Sequence, residues 1–403
     1  MSAELAQPIP SAPDRDGRII GLVGVAHGIS HFYHLLLPPL FPWLMAEFGL
    51  DFTAIGMTMT VFFVVSGVGQ ALAGIMVDKF GPVRVLAAGM TCFLLAGLAL
   101  SLVTGYFGLL AVGAVAGLGN AVFHPADYTL LNRRVSQPRL GHAFSVHGIS
   151  GNLGWAAAPV FMTGIATLAG WRVAALAAGL LALPMILLFL LSRDWLEGEM
   201  TPAPHGEKPQ GTFAFLKVGT VWLCFAFFFF LTAAFGAIQN FASPIMEALY
   251  GLSRGVTASI LSSYMLGSAA GILLGGFLVK HRSQNQIITA ALLTAAGCAC
   301  VLALGVLPAW AILPAMVGIG FFSGIAGPSR DLLVRRAATS RFGQAAYGRI
   351  YGFVYSGLDT GLAVAPLIFG GFMDRGQFAS VLVGIAILQS IAVLTALGVG
   401  KRA

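Results

Sequence analysis

The chain has 403 residues, 58% of them hydrophobic and only 9% charged, with a formal net charge of +7 and a mean hydropathy of +0.88. A typical soluble chain is roughly 25% charged, so this composition excludes a soluble fold and calls for a membrane protein. Helical crossing of a hydrocarbon core about 30 Å thick needs about 20 mostly apolar residues, and the sequence supplies such stretches almost end to end.

In chain order, residues 1–18, with Pro8, Pro10 and Pro13, read as a cytoplasmic N-terminal tail. The first apolar run, 19–41, exceeds the 7–15 residues of a signal-peptide core and lacks a small-residue cleavage site. It is expected to remain as helix 1. Helices 2–6 follow at 54–77, 83–104, 106–131, 142–168 and 172–192, closing a first six-helix bundle over 19–192. Residues 193–215, the longest polar run, include Arg193, Asp194, Glu197, Glu199, Glu207 and Lys208 and read as a cytoplasmic linker. Helices 7–12 are expected at 216–241, 255–280, 285–307, 309–334, 346–372 and 378–400, a second bundle within 216–403.

The basic balance is a matter of topology. With the N-terminus taken as cytoplasmic, 19 of the 22 Lys and Arg fall at cytoplasmic ends or loops, and only Arg172, Arg254 and Arg375 fall outside. That asymmetry follows the positive-inside rule. It predicts a multi-pass protein of the inner (plasma) membrane with both termini in the cytoplasm, and it removes the reason to expect nucleic-acid binding. Cys298 and Cys300 lie two apart on a predicted helix, so they face away from each other and read as packing residues, not metal ligands.

An internal repeat is legible. Pro42, Gly49, Leu50, Gly69 and Gly74 recur 202 residues later as Pro244, Gly251, Leu252, Gly271 and Gly276. Further on the offset is 207: Gly141, Gly154 and Pro159 answer Gly348, Gly361 and Pro366. A six-helix repeat keeps the same membrane orientation in both copies. The expected fold is therefore all-α, with twelve transmembrane helices in two parallel six-helix repeats and a site at the midplane between them.

The loop after helix 2, Gly74-Ile-Met-Val-Asp78-Lys79-Phe-Gly81-Pro-Val-Arg84, resembles the signature loop of the major facilitator superfamily. The resemblance implies a gating latch built from Gly74, Asp78, Lys79, Gly81 and Arg84, with Gly74 permitting close helix packing; in the second half Lys280 stands at the aspartate position. Three more stretches resemble the fosmidomycin-resistance-type branch of that superfamily. They are Ser30-His31 with Phe41 to Leu50 and Ile55-Gly56-Met57; Phe123-His124-Pro125; and Gly151-Asn152-Leu153-Gly154 leading to Pro159. Where that branch carries a glutamate after His-Pro, this chain has Ala126 and then Asp127. In the superfamily helices 1, 4, 7 and 10 line the cavity.

An ionisable group at bilayer depth costs about 2.5–3.5 kcal/mol on insertion scales, which makes each one a functional candidate. Helix 1 carries His27, His31 and His34, and helix 4 carries Asn120, His124 and Asp127, each set spaced 0, 4, 7 on one helical face, with Tyr128 alongside. Histidine titrates near physiological pH, which favours proton carriage over metal transport: His27 and His34 are about two turns apart and do not easily reach one ion. Helix 7 offers Thr232, Gln239 and Asn240 as hydrogen-bonding residues, and helix 10 offers Arg330. Aligning Pro125 with Pro328 sets Arg330 opposite Asp127, a charge pair across the cavity mouth; the alternative is a local Asp331–Arg335 pair. Asp359, with Asn152 as its repeat counterpart, sits in mid helix 11 with no basic residue within four positions. An isolated carboxyl at that depth is a proton-carrier candidate, against a packing role through a bond to Tyr355.

The chain lacks a His-Glu-x-x-His helix, a Gly-x-Ser-x-Gly turn and a Gly-rich loop ending in Gly-Lys-Ser/Thr, so neither an enzyme nor a nucleotide-driven pump is expected. The expectation is a monomeric secondary transporter without cofactor. It would move a small organic solute by alternating access with protons as partner, and the resemblance tilts the direction toward efflux. The alternatives are import of an organic anion or metal chelate, and a non-transporting receptor on the same fold.

Overall fold

Inside hydrocarbon an unpaired backbone N–H or C=O has no water to bond, so a segment that crosses satisfies itself as a helix. The computed structural model of the chain follows that constraint. It describes residues 13–193, 196, 217–279, 281–342 and 347–402. Among these, twelve helical stretches are long and apolar enough to cross a membrane.

The first crossing combines α1 (Pro13–Tyr33), a short 3-10 turn at Pro38–Leu40 and α2 (Phe41–Phe48). It departs from the expected unbroken helix at 19–41, and α1 starts inside the segment read as tail. The break after Tyr33 has a local cause. Pro38, Pro39 and Pro42 donate no N–H, and a proline disfavours helical geometry in the residue before it. Then come α3 (Phe52–Phe80) and α4 (Pro82–Leu102). The fourth crossing is split at Val122 into α5 (Tyr106–Ala121) and α6 (Phe123–Arg134). Pro125 cannot donate to the carbonyl four residues back, which is that of Ala121.

The chain continues as α7 (Gln137–Ala169), α8 (Trp171–Leu191), α9 (Gly219–Tyr250) and α10 (Arg254–Leu278). The last four are α11 (Gln284–Ala303), α12 (Ala309–Phe342), α13 (Tyr347–Asp374) and α14 (Phe378–Arg402). Helices α9 and α12 outrun their expected ends at 241 and 334, and α9 does so by carrying Pro244 inside it.

The repeated glycines have structural reasons. Gly49 and Gly251 both close their helices at φ +64°, a left-handed conformation that glycine adopts without a Cβ penalty. Gly154 on α7 lies against the Gly28 carbonyl of α1, and its repeat partner Gly361 on α13 lies against the Phe229 carbonyl of α9. A Cβ at either place would overlap backbone. Small residues are what let membrane helices approach this closely.

Two helix pairs, α3 with α13 and α7 with α10, join the halves. At the end away from the basic loops, Asp51 caps its own helix, accepting from the Ala54 amide at 2.7 Å. The Asp374 carboxylate of α13 adds a second cap from the other half. It accepts from the amides of Phe52 at 2.6 Å and Thr53 at 3.1 Å and from the Thr53 hydroxyl. From there the contacts run inward: Gly370 against Thr53, Gly56 against Pro366, and the Thr60 hydroxyl donating to the Ala363 carbonyl at 2.7 Å. They reach Gln70, whose amide donates to Asp359 at 2.9 Å. On the other pair, Ser262 donates to the Ala156 carbonyl at 2.6 Å. These contacts hold the halves together from the end opposite the basic loops to mid-depth.

The Asp374 cap must break whenever that end opens. Removing its three bonds, which are exposed to water, with Asp374→Ala should shift the population toward the state open at that end by about tenfold or more, ~1.4 kcal/mol at least. Distances between spin labels at Leu50 and Gln377 would lengthen accordingly, with Asp374→Asn intermediate.

Candidate functional site

Helix α1 sets His27 and His31 one turn apart, and the chain unwinds immediately after Tyr33. His34 therefore leaves the helical stripe expected of it but stays with the group, its ring stacked 4.9 Å from that of His31. The split at Val122 likewise separates Asn120, at the end of α5, from His124 and Asp127 on α6. Asn120 accepts from His34 Nε2 at 2.8 Å and donates to the Ser66 hydroxyl at 2.8 Å. His124 lies with its ring 5.5 Å from that of His27 and 6.2 Å from that of His31.

A fifth histidine completes the cluster. His147 of α7 stacks on His27 at 3.5 Å, and its Nε2 lies 3.1 Å from Asp127 Oδ2. Its backbone carbonyl accepts from His27 Nδ1 at 2.8 Å. Sequence reasoning missed His147, which no spacing in α7 marks. A Cβ at Gly151, one turn further along α7, would sit 2.7 Å from His31 Nδ1, so that glycine makes room for the imidazoles.

The expected pair between Asp127 and Arg330 is not formed in this conformation. Asp127 is fully buried against His147, and the Arg330 guanidinium lies over the Phe228 ring at 4.8 Å. The alternative Asp331–Arg335 pair falls on side chains outside the described residues. Asp359 bonds to Gln70, not to Tyr355, which packs on Phe228. Gln70 in turn accepts from His124 Nδ1 at 3.0 Å. A hydrogen-bonded chain, His124–Gln70–Asp359, thus runs from the histidine cluster of the first half to the carboxyl of the second.

Tyr128 is exposed and stacks on His124, at the edge of the cluster nearer the basic loops. Gln239 reaches across the halves to donate to the His34 carbonyl at 3.1 Å, while Asn240 donates to Gly236 of its own helix at 2.7 Å. Both line a pocket at the closed end with Pro38, Pro42, Pro159 and Thr257. Thr232 is absorbed in backbone bonds to Phe228 and Leu358.

In the signature loop, Gly81 ends α3 at φ +85° and Lys79 and Arg84 are exposed. Gly74 does not serve close packing here: it and its repeat partner Gly276 both face open space. The side chain of Asp78, and Lys280 altogether, lie outside the described residues. The four cysteines are free thiols, with Cys298 half-buried and Cys300 exposed.

Residues 22–346 match the family model of the Major Facilitator Superfamily. Over 360 residues the chain is 26% identical to the fosmidomycin resistance protein of Escherichia coli (strain K12), covering 87% of this chain and 86% of that one. It is 25% identical over 390 residues to the MFS-type transporter YfnC of Bacillus subtilis (strain 168), covering 93% and 91%. Among solved structures it resembles an inward-facing, occupied bacterial homologue of the human lysosomal transporter Spinster. The TM-score is 0.75 at 12% identity, over 97% of this chain and 96% of that one. With twelve apolar helices and a family match across most of its length, the chain is a multi-pass membrane protein and belongs to the major facilitator superfamily of transporters.

Proposed function

We propose that the chain is a proton-coupled secondary transporter that exports a small organic solute across the inner membrane as a monomer. Both termini and the basic loops then lie in the cytoplasm, and the conformation described above is the one open to the cytoplasm. The likeness to a fosmidomycin resistance protein supports export. The observation that carries the coupling is the Gln70–Asp359 bridge, a mid-membrane carboxyl bonded across the line along which the halves must part.

A carboxylate accepting from an amide makes a charge-assisted bond, stronger than the neutral equivalent. Among the described residues Gln70 is the hydrogen-bond partner of Asp359, with Gly67 of the same helix packed on its Cβ. The bridge therefore favours the ionised acid in the conformation open to the cytoplasm. Parting of the halves at the outer end withdraws the donor, and the acid takes a proton from the outside. When the bridge re-forms, that proton leaves to the cytoplasm and the solute can load. Proton entry and solute exit then alternate on one carboxyl.

Two outcomes check this reading, with fosmidomycin as the first probe and a thermal-shift screen of organic acids and antibiotics to widen the set. In liposomes Asp359→Asn should still exchange solute down its gradient yet lose accumulation driven by a pH gradient. Full proton-driven accumulation in that variant, with loss in His31 or Asp127 variants instead, would move the coupling to the first half. Asp78→Asn, in the signature loop, should slow turnover while leaving substrate affinity unchanged; an equal fall in both would remove its gating role.

A further inference from the structure

Five of the chain's eight histidines meet among α1, α6 and α7. Helix α1 alone does not gather three of them round one point; α6 and α7 supply what it lacks. One ring nitrogen each from His27, His31 and His124 lie within 4.8 Å of one another. A second group of the same tightness, His27, His147 and an Asp127 oxygen, shares His27 with the first.

The hydrogen bonds around these rings divide the nitrogens in a particular way. His27 Nδ1 is held by the His147 carbonyl at 2.8 Å, and His124 Nδ1 by the Gln70 side chain at 3.0 Å. Each ring keeps its Nε2 free. This is how metal-binding histidines are oriented, one nitrogen tied to a carbonyl or amide and the other left to coordinate. His27 Nε2, both nitrogens of His31 and Asp127 Oδ1 are buried without a hydrogen-bond partner. His34 Nδ1 is a fifth; leaving a buried polar atom unmade costs about 1–3 kcal/mol, and an ion taking one nitrogen each from His27 and His31 relieves two of them. Gly151 leaves the space, since any side chain there would press on His31 and His27.

We infer that His27, His31 and His124 form a binding site for a divalent transition-metal ion of the Zn²⁺ class, with the neighbouring Asp127 carboxylate balancing its charge. Neutral imidazoles suit Zn²⁺, Co²⁺ and Ni²⁺, while Mg²⁺ and Ca²⁺ prefer all-oxygen sites. The site lies within the first half, so it does not depend on the direction or substrate of transport. Gln70 ties it to the bridge at Asp359.

The test uses the full chain, purified in detergent without a polyhistidine tag, stripped with a chelator and titrated with Co²⁺. One equivalent should bind with the visible absorption of a tetrahedral, nitrogen-rich Co²⁺ centre, and Zn²⁺ but not Mg²⁺ should displace it. His31→Asn and His124→Asn should each weaken binding at least tenfold. Gln70→Ala, which removes the bond orienting His124 together with the bridge to Asp359 but no metal ligand, should weaken it by roughly 10–100-fold, while Asp359→Asn should not. His142→Ala, exposed near the start of α7, should leave binding unchanged. Circular-dichroism melting verifies that each variant is folded. X-ray absorption of the Zn²⁺-loaded wild-type chain gives an arm that needs no variant, with at least three imidazole nitrogens expected. A folded wild-type chain that takes up no Co²⁺, an all-oxygen Zn²⁺ shell, or undiminished binding in folded His31→Asn and His124→Asn would each overturn the site.

Discussion

Every backbone polar group that this chain carries into the bilayer must find its partner within the protein, and each polar side chain there needs one from the protein or from what it binds. That one constraint shapes the backbone and the site alike. It makes every crossing helical, and it allows breaks only where other groups surround them, as at Tyr33–Pro38 and at Val122. Both breaks border the histidine cluster, and His34, just past the first, bonds to Asn120, in the last turn before the second. The cluster is therefore a consequence of where the proline residues interrupt two helices as much as of where the histidines fall.

The same constraint makes the contact between the halves informative. Most of it is small residue against backbone, as between Gly370 and Thr53, or a single hydroxyl on a carbonyl, as at Thr60 and Ser262. Such contacts form and part with little electrostatic consequence. The two carboxylates, Asp374 at the end away from the basic loops and Asp359 at mid-depth, are different. Each accepts from the opposite half, and each loses a charge-assisted bond when the halves separate. Asp374 sits at the exposed end, where water replaces what is lost. Asp359 sits at mid-depth, where in the proposed cycle a proton replaces it.

Much of this was legible in the sequence. Twelve apolar runs, the offsets of 202 and 207 residues and the positions of Gly49, Gly154, Gly251 and Gly361 are backbone matters, and backbone geometry repeats with the sequence. The site was legible only in part, because periodicity along one helix cannot show which neighbour a side chain meets. The stripe of His27 and His31 was visible, but the third element, His147, shares α7 with His142 five residues earlier, a spacing that marks no common face. Gln70, the link between His124 and Asp359, is an uncharged residue in an otherwise apolar run, and only the packing of α3 against α13 reveals its use. The symmetry of the repeat sets Arg330 opposite Asp127. In the folded chain His147 holds that acid first.

The central claim is that the protonation of Asp359 biases which face of the protein is open. Its most direct test is the distance between spin labels at Leu50 and Gln377, measured in proteoliposomes as pH is varied. A short distance is expected at high pH, where the ionised acid holds Gln70, and a longer one as pH falls, with the dependence abolished in Asp359→Asn. A distance that ignores pH, or a pH dependence that survives in Asp359→Asn, would contradict it.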